Sequence, residues 1–258
     1  MTGDHAALVP VWIEAGLWGL LGGAALVVGA AVAWFVAVPP AVIAAVMAFG
    51  SGVLISAVAF DLMAEAADTG GLGPTAAGFL GGAVAYLGAN ALLARHGARH
   101  RKRSGDQQPS EAEQAGSGAA IAVGALLDGI PESIVLGLGL VTGGGVSASV
   151  LAAVFISNVP EGLSSAAGMK ANGRSARYVF GVWGGIAAVS GLAALLGNLL
   201  LERAAPELVA VVTAIAAGAI LTMIADTMIP EAFEQTRTWT GLITTVGFLV
   251  AFAIDLAG

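Results

Sequence analysis

Apolar residues fill this chain in runs of about 20 positions, enough for a helix to cross a hydrocarbon core of about 30 Å. Eight runs can be delimited: Ala15–Val38, Ala41–Ala64, Leu72–Ala94, Gly118–Val141, Val146–Met169, Ala176–Leu201, Ala205–Ile229 and Thr240–Leu256. Continuous hydrophobicity predicts helix, because an open sheet in lipid leaves its backbone groups without partners. Pro39-Pro40, Gly70-Gly71 and Gly143-Gly144-Gly145 separate runs as turn signals. The glycine triplet reads as a turn and not a phosphate loop, since no GxxxxGK[ST] pattern follows it. One long polar segment interrupts the pattern at 95–117, with RHGARHRKRSGDQQPSEAEQ beginning at Arg95. Its composition predicts a flexible loop. The expected fold class is therefore an all-α membrane protein with eight transmembrane helices, a single domain over residues 1–258.

Composition agrees with that pattern. Only 10% of residues are charged, against about 25% in a soluble domain. The 38 glycines suit helices that approach closely in lipid, and Gly-rich faces permit a homodimer. A formal net charge of −7 leaves no large basic surface, which argues against a nucleic-acid partner. Cysteine is absent, which excludes disulfides and thiolate metal ligands. The opening MTGDHAALVP has no basic residue before the first apolar run, unlike a cleavable signal peptide.

The ten Lys and Arg residues orient the spans. Arg95, Arg99, Arg101, Lys102 and Arg103 follow span 3, Lys170, Arg174 and Arg177 follow span 5, and Arg237 follows span 7. All nine fall on one side of an eight-span arrangement, and only Arg203 falls on the other. The positive-inside rule puts the nine in the cytoplasm and both termini outside. The 95–117 loop is then cytoplasmic, in a chain expected in the cell (plasma or inner) membrane.

Carboxylates carry the candidate chemistry. Asp128 and Glu132 lie near the middle of span 4 and Glu161 near the middle of span 5, and no Lys or Arg sits deep in any span. A charge at the bilayer centre costs at least about 2.5–3.5 kcal/mol on insertion scales. Such acids are protonated, line a wet cavity, or bind a cation. Asp128 and Glu132 are four apart and share a helix face. Ser157 and Glu161 repeat that spacing, with Asn158 beside them. Asp128-Gly129-Ile130-Pro131-Glu132-Ser133 and Ser157-Asn158-Val159-Pro160-Glu161-Gly162 align at a constant offset of 29 residues. On antiparallel neighbours this is a local inverted repeat, of the kind transporters place near the midplane. Pro131 and Pro160 should kink their helices and free carbonyls about four residues earlier. Carbonyl and carboxylate oxygens suit hard divalent cations.

A second pair of segments matches over a longer distance. Gly52 to Glu65 in span 2 and Gly218 to Glu231 in span 7 both cover 13 residues, with Asp61 and Asp226 preceding the glutamates one position out of register. Asp61, Glu65 and Asp255 are expected at an outer entrance, and Asp226 and Glu231 at an inner exit. Membrane headgroups and water are the ordinary neighbours of such span-end acids.

At these residues the chain resembles the ZIP (Zrt/Irt-like protein) family of divalent metal transporters. Its signature is a pair of motifs like His-Asn-x-Pro-Glu-Gly on spans 4 and 5. Here span 5 keeps Asn158, Pro160, Glu161 and Gly162, and span 4 keeps Pro131 and Glu132. The segment through Ile229-Pro230-Glu231-Ala232 also looks like the family's span 7. The resemblance implies eight spans, termini outside, and inverted repeats relating spans 1–3 to 6–8 and span 4 to 5. It further implies a mid-membrane metal site at Asp128, Glu132, Ser157, Asn158 and Glu161. Two departures stand out. His5, His96 and His100 all lie outside the spans, and span 6 carries no acid, although Ser190 lies 29 residues after Glu161.

The expected function is transport of a divalent metal cation (Mn, Fe or Zn) toward the cytoplasm, with the metal as substrate and no organic cofactor. The alternatives are a non-transporting metal-binding membrane protein or sensor, and a proton or monovalent-cation carrier. An intramembrane metalloenzyme would want HExxH or a His-rich zinc site, so no enzyme activity is expected.

Overall fold

A computed structural model describes residues 9–96, 117–141 and 148–257. Among these residues the chain is helical and contains no strand. Helix α1 is Val11–Phe35, and α2 runs Pro40–Gly70 with a π-helical stretch at Ala57–Leu62. Helices α3 (Leu72–Ala94), α4 (Ser117–Leu138), α5 (Ala148–Ala171) and α6 (Ala176–Leu201) follow. Helix α7 comprises Pro206–Met223, a second π-helical stretch at Ile224–Met228, and Ile229–Thr236. A 3₁₀ turn at Arg237–Trp239 leads into α8, Thr240–Ala257.

Seven helical segments are long and apolar enough to cross a membrane, and the last of them covers 51 residues from Pro206 to Leu256. At 1.5 Å per residue that segment would reach about 75 Å if straight, over twice a bilayer core. It is not straight: Arg237 takes φ 42° and ψ −112°, and a 3₁₀ turn separates α7 from α8.

Local chemistry explains the ends. Pro10 precedes α1, and Glu14 in its first turn accepts from Trp18 Nε1 at 3.2 Å. The helix thus begins four residues before the apolar run and stops at Phe35, short of the predicted Val38, where Val36 turns extended ahead of Pro39-Pro40. Helix α2 continues past the predicted Ala64 to Gly70 because its last turns are amphipathic, with Ala66 buried and Ala64 exposed. Gly71, at φ 75°, ends it by donating its N–H to Ala67 O. The predicted boundaries of spans 3 and 6 coincide with α3 and α6. Spans 4 and 5 shift by up to three residues, and span 7 extends beyond Ile229 to Thr236. The predicted loop falls outside the described residues from 97 to 116, as do the glycine triplet at 143–145, His5 and His100. His96, just past α3, sits with Nδ1 3.0 Å from Leu92 O.

Two apolar cores hold the bundle together. One joins α2, α3, α7 and α8 with the C-terminal half of α4 and the N-terminal half of α5. The other joins α1 and α6 with the opposite halves of α4 and α5. Helices α4 and α5 therefore pass between the cores, and their midpoints sit where the cores meet. Five pairings dominate: α1 on α6, α2 on α7, α1 on α5, α3 on α7, and α2 on α8. Helix α4 lies mainly on α6, with further contact to α7, and α5 adds contact to α2.

Candidate functional site

The candidate residues of spans 4 and 5 are buried where α4 and α5 thread between the cores. Asp128 and Glu132 are each 1% exposed, Ser157 is 0%, and Asn158 and Glu161 are 3%. Both helices continue through their prolines, Pro131 in α4 and Pro160 in α5. Proline has no N–H, so each deprives a carbonyl four residues back, Leu127 and Ile156, of its usual helical donor.

Neighbouring helices decide how these side chains are held. The Tyr86 hydroxyl of α3, itself buried, donates to Asp128 Oδ1 at 2.5 Å. Asn158 Nδ2 donates to Gly22 O of α1 at 3.0 Å, which leaves its amide oxygen directed elsewhere. Ser157 Oγ donates to Val154 O at 3.0 Å, one turn back in its own helix. Ser133, next to Glu132, does likewise to Gly129 O at 2.7 Å.

The close approach of α1 to α5 depends on glycine. A Cβ on Gly162 would lie 2.2 Å from Leu26 O, and one on Gly29 would lie 2.1 Å from Val159 O. Both are far inside contact distance. The glycine that follows Pro160-Glu161 thus lets the backbone of α1 press against the turn that carries Glu161.

The span-end acids separate. Glu231 is 5% exposed, and Ser164 Oγ of α5 lies 3.4 Å from Glu231 Oε1. Ser164, three residues after Glu161 in α5, thus links that helix to Glu231 of α7. Asp61, within the first π-helical stretch, and Glu65 are half-buried. Asp226, within the second, is exposed, and so is Asp255. Glu65 and Glu231 hold matching positions in their segments, but Asp61 precedes its glutamate by four residues and Asp226 by five. The two aspartates thus differ both in offset from the matched glutamate and in burial.

Asp128, Glu132 and Glu161 share the buried midsection, but they do not close into a ready-made cage. Among the described residues, no three His, Asp or Glu side chains are gathered as a group that could hold a metal ion. The arrangement shows instead two interhelical links at buried acids, Tyr86–Asp128 between α3 and α4 and Ser164–Glu231 between α5 and α7.

Sequence reasoning missed Tyr86, Ser164 and buried Ser165. Tyr86 carried a usable signal: it is one of two tyrosines in the chain and lies within an apolar span, where a phenol hydroxyl needs a partner. No protein-family model matches the chain, and no curated protein matches it.

Proposed function

We propose that this protein is a divalent-metal transporter with a ZIP-like fold, carrying Mn²⁺, Fe²⁺ or Zn²⁺ toward the cytoplasm as its substrate. The observation that carries the reading is the burial of Asp128, Glu132 and Glu161 at 1–3% exposure in the middle of membrane-length helices. Buried intramembrane acids mark ion pathways by default, because their charge is otherwise too costly to keep. Asn158, Ser157 and the carbonyls left by Pro131 and Pro160 supply further oxygen ligands for a hard cation.

The eight-span topology goes with this reading. The 51-residue segment is read as two crossings joined at Arg237, which restores the nine-to-one split of basic residues and puts both termini outside. The packing supports inverted repeats. Exchanging helices 1, 2, 3 and 4 with 6, 7, 8 and 5 converts α3 on α7 into α8 on α2, and α1 on α5 into α6 on α4. The glycines agree: a Cβ on Gly52 would lie 1.9 Å from Thr244 O, and one on Gly218 would lie 2.0 Å from Phe79 O. Each sits five or six residues before its π-helical stretch. Metal would enter past Glu65, be held by Asp128, Glu132, Asn158 and Glu161, and leave past Ser164 and Glu231, with one helix group rocking against another. The cell membrane is the proposed location.

A second reading, a non-transporting metal-binding protein or sensor, is favoured by the absence of a gathered three-acid group among the described residues. Uptake of Mn²⁺, Fe²⁺ and Zn²⁺ into proteoliposomes separates the two. Transport by wild type and its loss in a Glu132→Ala, Glu161→Ala double variant are expected. Equal uptake by both proteins overturns the site, and binding without flux favours the sensor.

A further inference from the structure

We propose that Tyr86 is a positioning residue that holds Asp128 on the α3 side of the bundle and thereby sets the affinity of the mid-membrane site for a divalent cation. This rests on the metal-site reading of Asp128, Glu132 and Glu161. Tyr86 and Asp128 are 42 residues apart and lie on different helices, both almost fully buried at 2% and 1% exposure. Their hydrogen bond at 2.5 Å is thus a dry interhelical link between α3 and α4. Low dielectric strengthens such a bond relative to one in water.

Geometry gives the link its consequence. In this conformation the three mid-membrane acids are not gathered into one group. Helix α3 lies on α7 and α4, whereas Glu161 stands on α5, which packs on α1 and α2. The Tyr86 hydroxyl therefore draws Asp128 toward a different neighbour than the one a shared cation requires. For Asp128 to ligate together with Glu161, its carboxylate would swing away from α3, and the phenol hydrogen bond on Oδ1 opposes that movement.

The fold also leaves room for the tyrosine to yield. A cavity of about 370 Å³ lies between α3, α4 and α7, lined by Tyr86, Gly82, Pro131, Ile134, Ile215 and Ala219 among others. Gly82 brings α3 onto the α7 backbone, since a Cβ there would meet Ile215 O at 2.0 Å. Tyr86, though 2% exposed and part of the apolar core, borders this space, so a ring that leaves Asp128 has a neighbouring void to move toward.

The test is Mn²⁺ binding to the full-length protein in lipid nanodiscs, measured calorimetrically for wild type, Tyr86→Phe, Asp128→Asn and the double variant. Phenylalanine keeps the ring and its packing and removes only the donor. A hydrogen bond to a carboxylate that opposes its movement toward the cation weakens affinity by about tenfold or more. Tyr86→Phe is expected to tighten Mn²⁺ by about that factor. It should change nothing in the Asp128→Asn background, where residue 128 no longer competes for the cation. Equal tightening in both backgrounds, or unchanged or weaker binding in Tyr86→Phe while wild type binds Mn²⁺, overturns the positioning role alone. A wild-type protein that binds none of Mn²⁺, Fe²⁺ or Zn²⁺ overturns the site reading and the positioning role together.

Discussion

Replacing Gly162 by alanine tests the contact that places Glu161. The added methyl would lie 2.2 Å from Leu26 O and 2.8 Å from both Leu26 C and Leu26 Cα. All three are backbone atoms, so no side chain can rotate away. Helices α1 and α5 must separate by about 1 Å to restore contact distance, which is overpacking of the kind that costs about 1–3 kcal/mol. The same displacement stretches the Asn158–Gly22 bond, now 3.0 Å, beyond bonding range. An interhelical hydrogen bond in lipid contributes about 0.6 kcal/mol on average and at most about 1.7. Alanine's better helix propensity returns at most about 1 kcal/mol. The net expectation is a destabilisation of about 2 kcal/mol. Equilibrium unfolding in mixed detergent micelles, followed by circular dichroism, measures it. Gly81→Ala is the control, because a Cβ there meets nothing within 4 Å, and it should be neutral or slightly stabilising. Metal uptake by Gly162→Ala should also fall, since Glu161 moves with its helix. If Gly162→Ala unfolds together with Gly81→Ala, the backbone contact between α1 and α5 does not exist as described.

The remaining expectations concern the other acids, a second interhelical bond and the topology. Glu231→Gln should reduce uptake by about tenfold or more, because Glu231 is buried against Ser164. Asp226→Asn should leave uptake near wild type, because Asp226 is exposed; the reverse order would remove Glu231 from the pathway. Asn198 Nδ2 donates to Gly137 O at 3.2 Å across α6 and α4, so Asn198→Leu should cost about 0.6 kcal/mol and no more than about 1.7 in the same unfolding assay. A larger loss would show that Asn198 does more than join two helices. The chain contains no cysteine, so single cysteines report sidedness cleanly. In cells, an impermeant maleimide should label Ala205→Cys without permeabilisation and Thr238→Cys only after it; labelling of both from outside refutes two crossings in the 51-residue segment.

The existence of long apolar helices was legible because the length and hydrophobicity of the runs settle it almost alone. The buried acids were legible for the same reason: Asp128, Glu132 and Glu161 interrupt runs that otherwise contain no charge. Which face each helix buries was not legible. These helices are apolar nearly all round, so no stripe marks the side that meets a neighbour. Tyr86 could be flagged as needing a partner, but its choice of Asp128, 42 residues away, depends on how α3 seats against α4. The burial of Glu231 was hidden because span 7 reads as ending at Ile229, whereas α7 continues to Thr236. The contrast between Asp61 and Asp226 was visible only as a one-residue mismatch. Its meaning needed the two π-helical stretches, which depart from 3.6 residues per turn where the aspartates stand. Gly29 and Gly162 illustrate the same limit: abundance of glycine predicts close helices, but not which pair touches.

Diffraction from crystals soaked in Mn²⁺, collected at the manganese absorption edge, tests the central claim most directly. The account predicts an anomalous peak between α4 and α5, within ligand distance of the Glu132 and Glu161 carboxylates, lost in the Glu132→Gln, Glu161→Gln variant. Peaks confined to exposed acids such as Asp226 and Asp255, with none at the buried midsection, would contradict it.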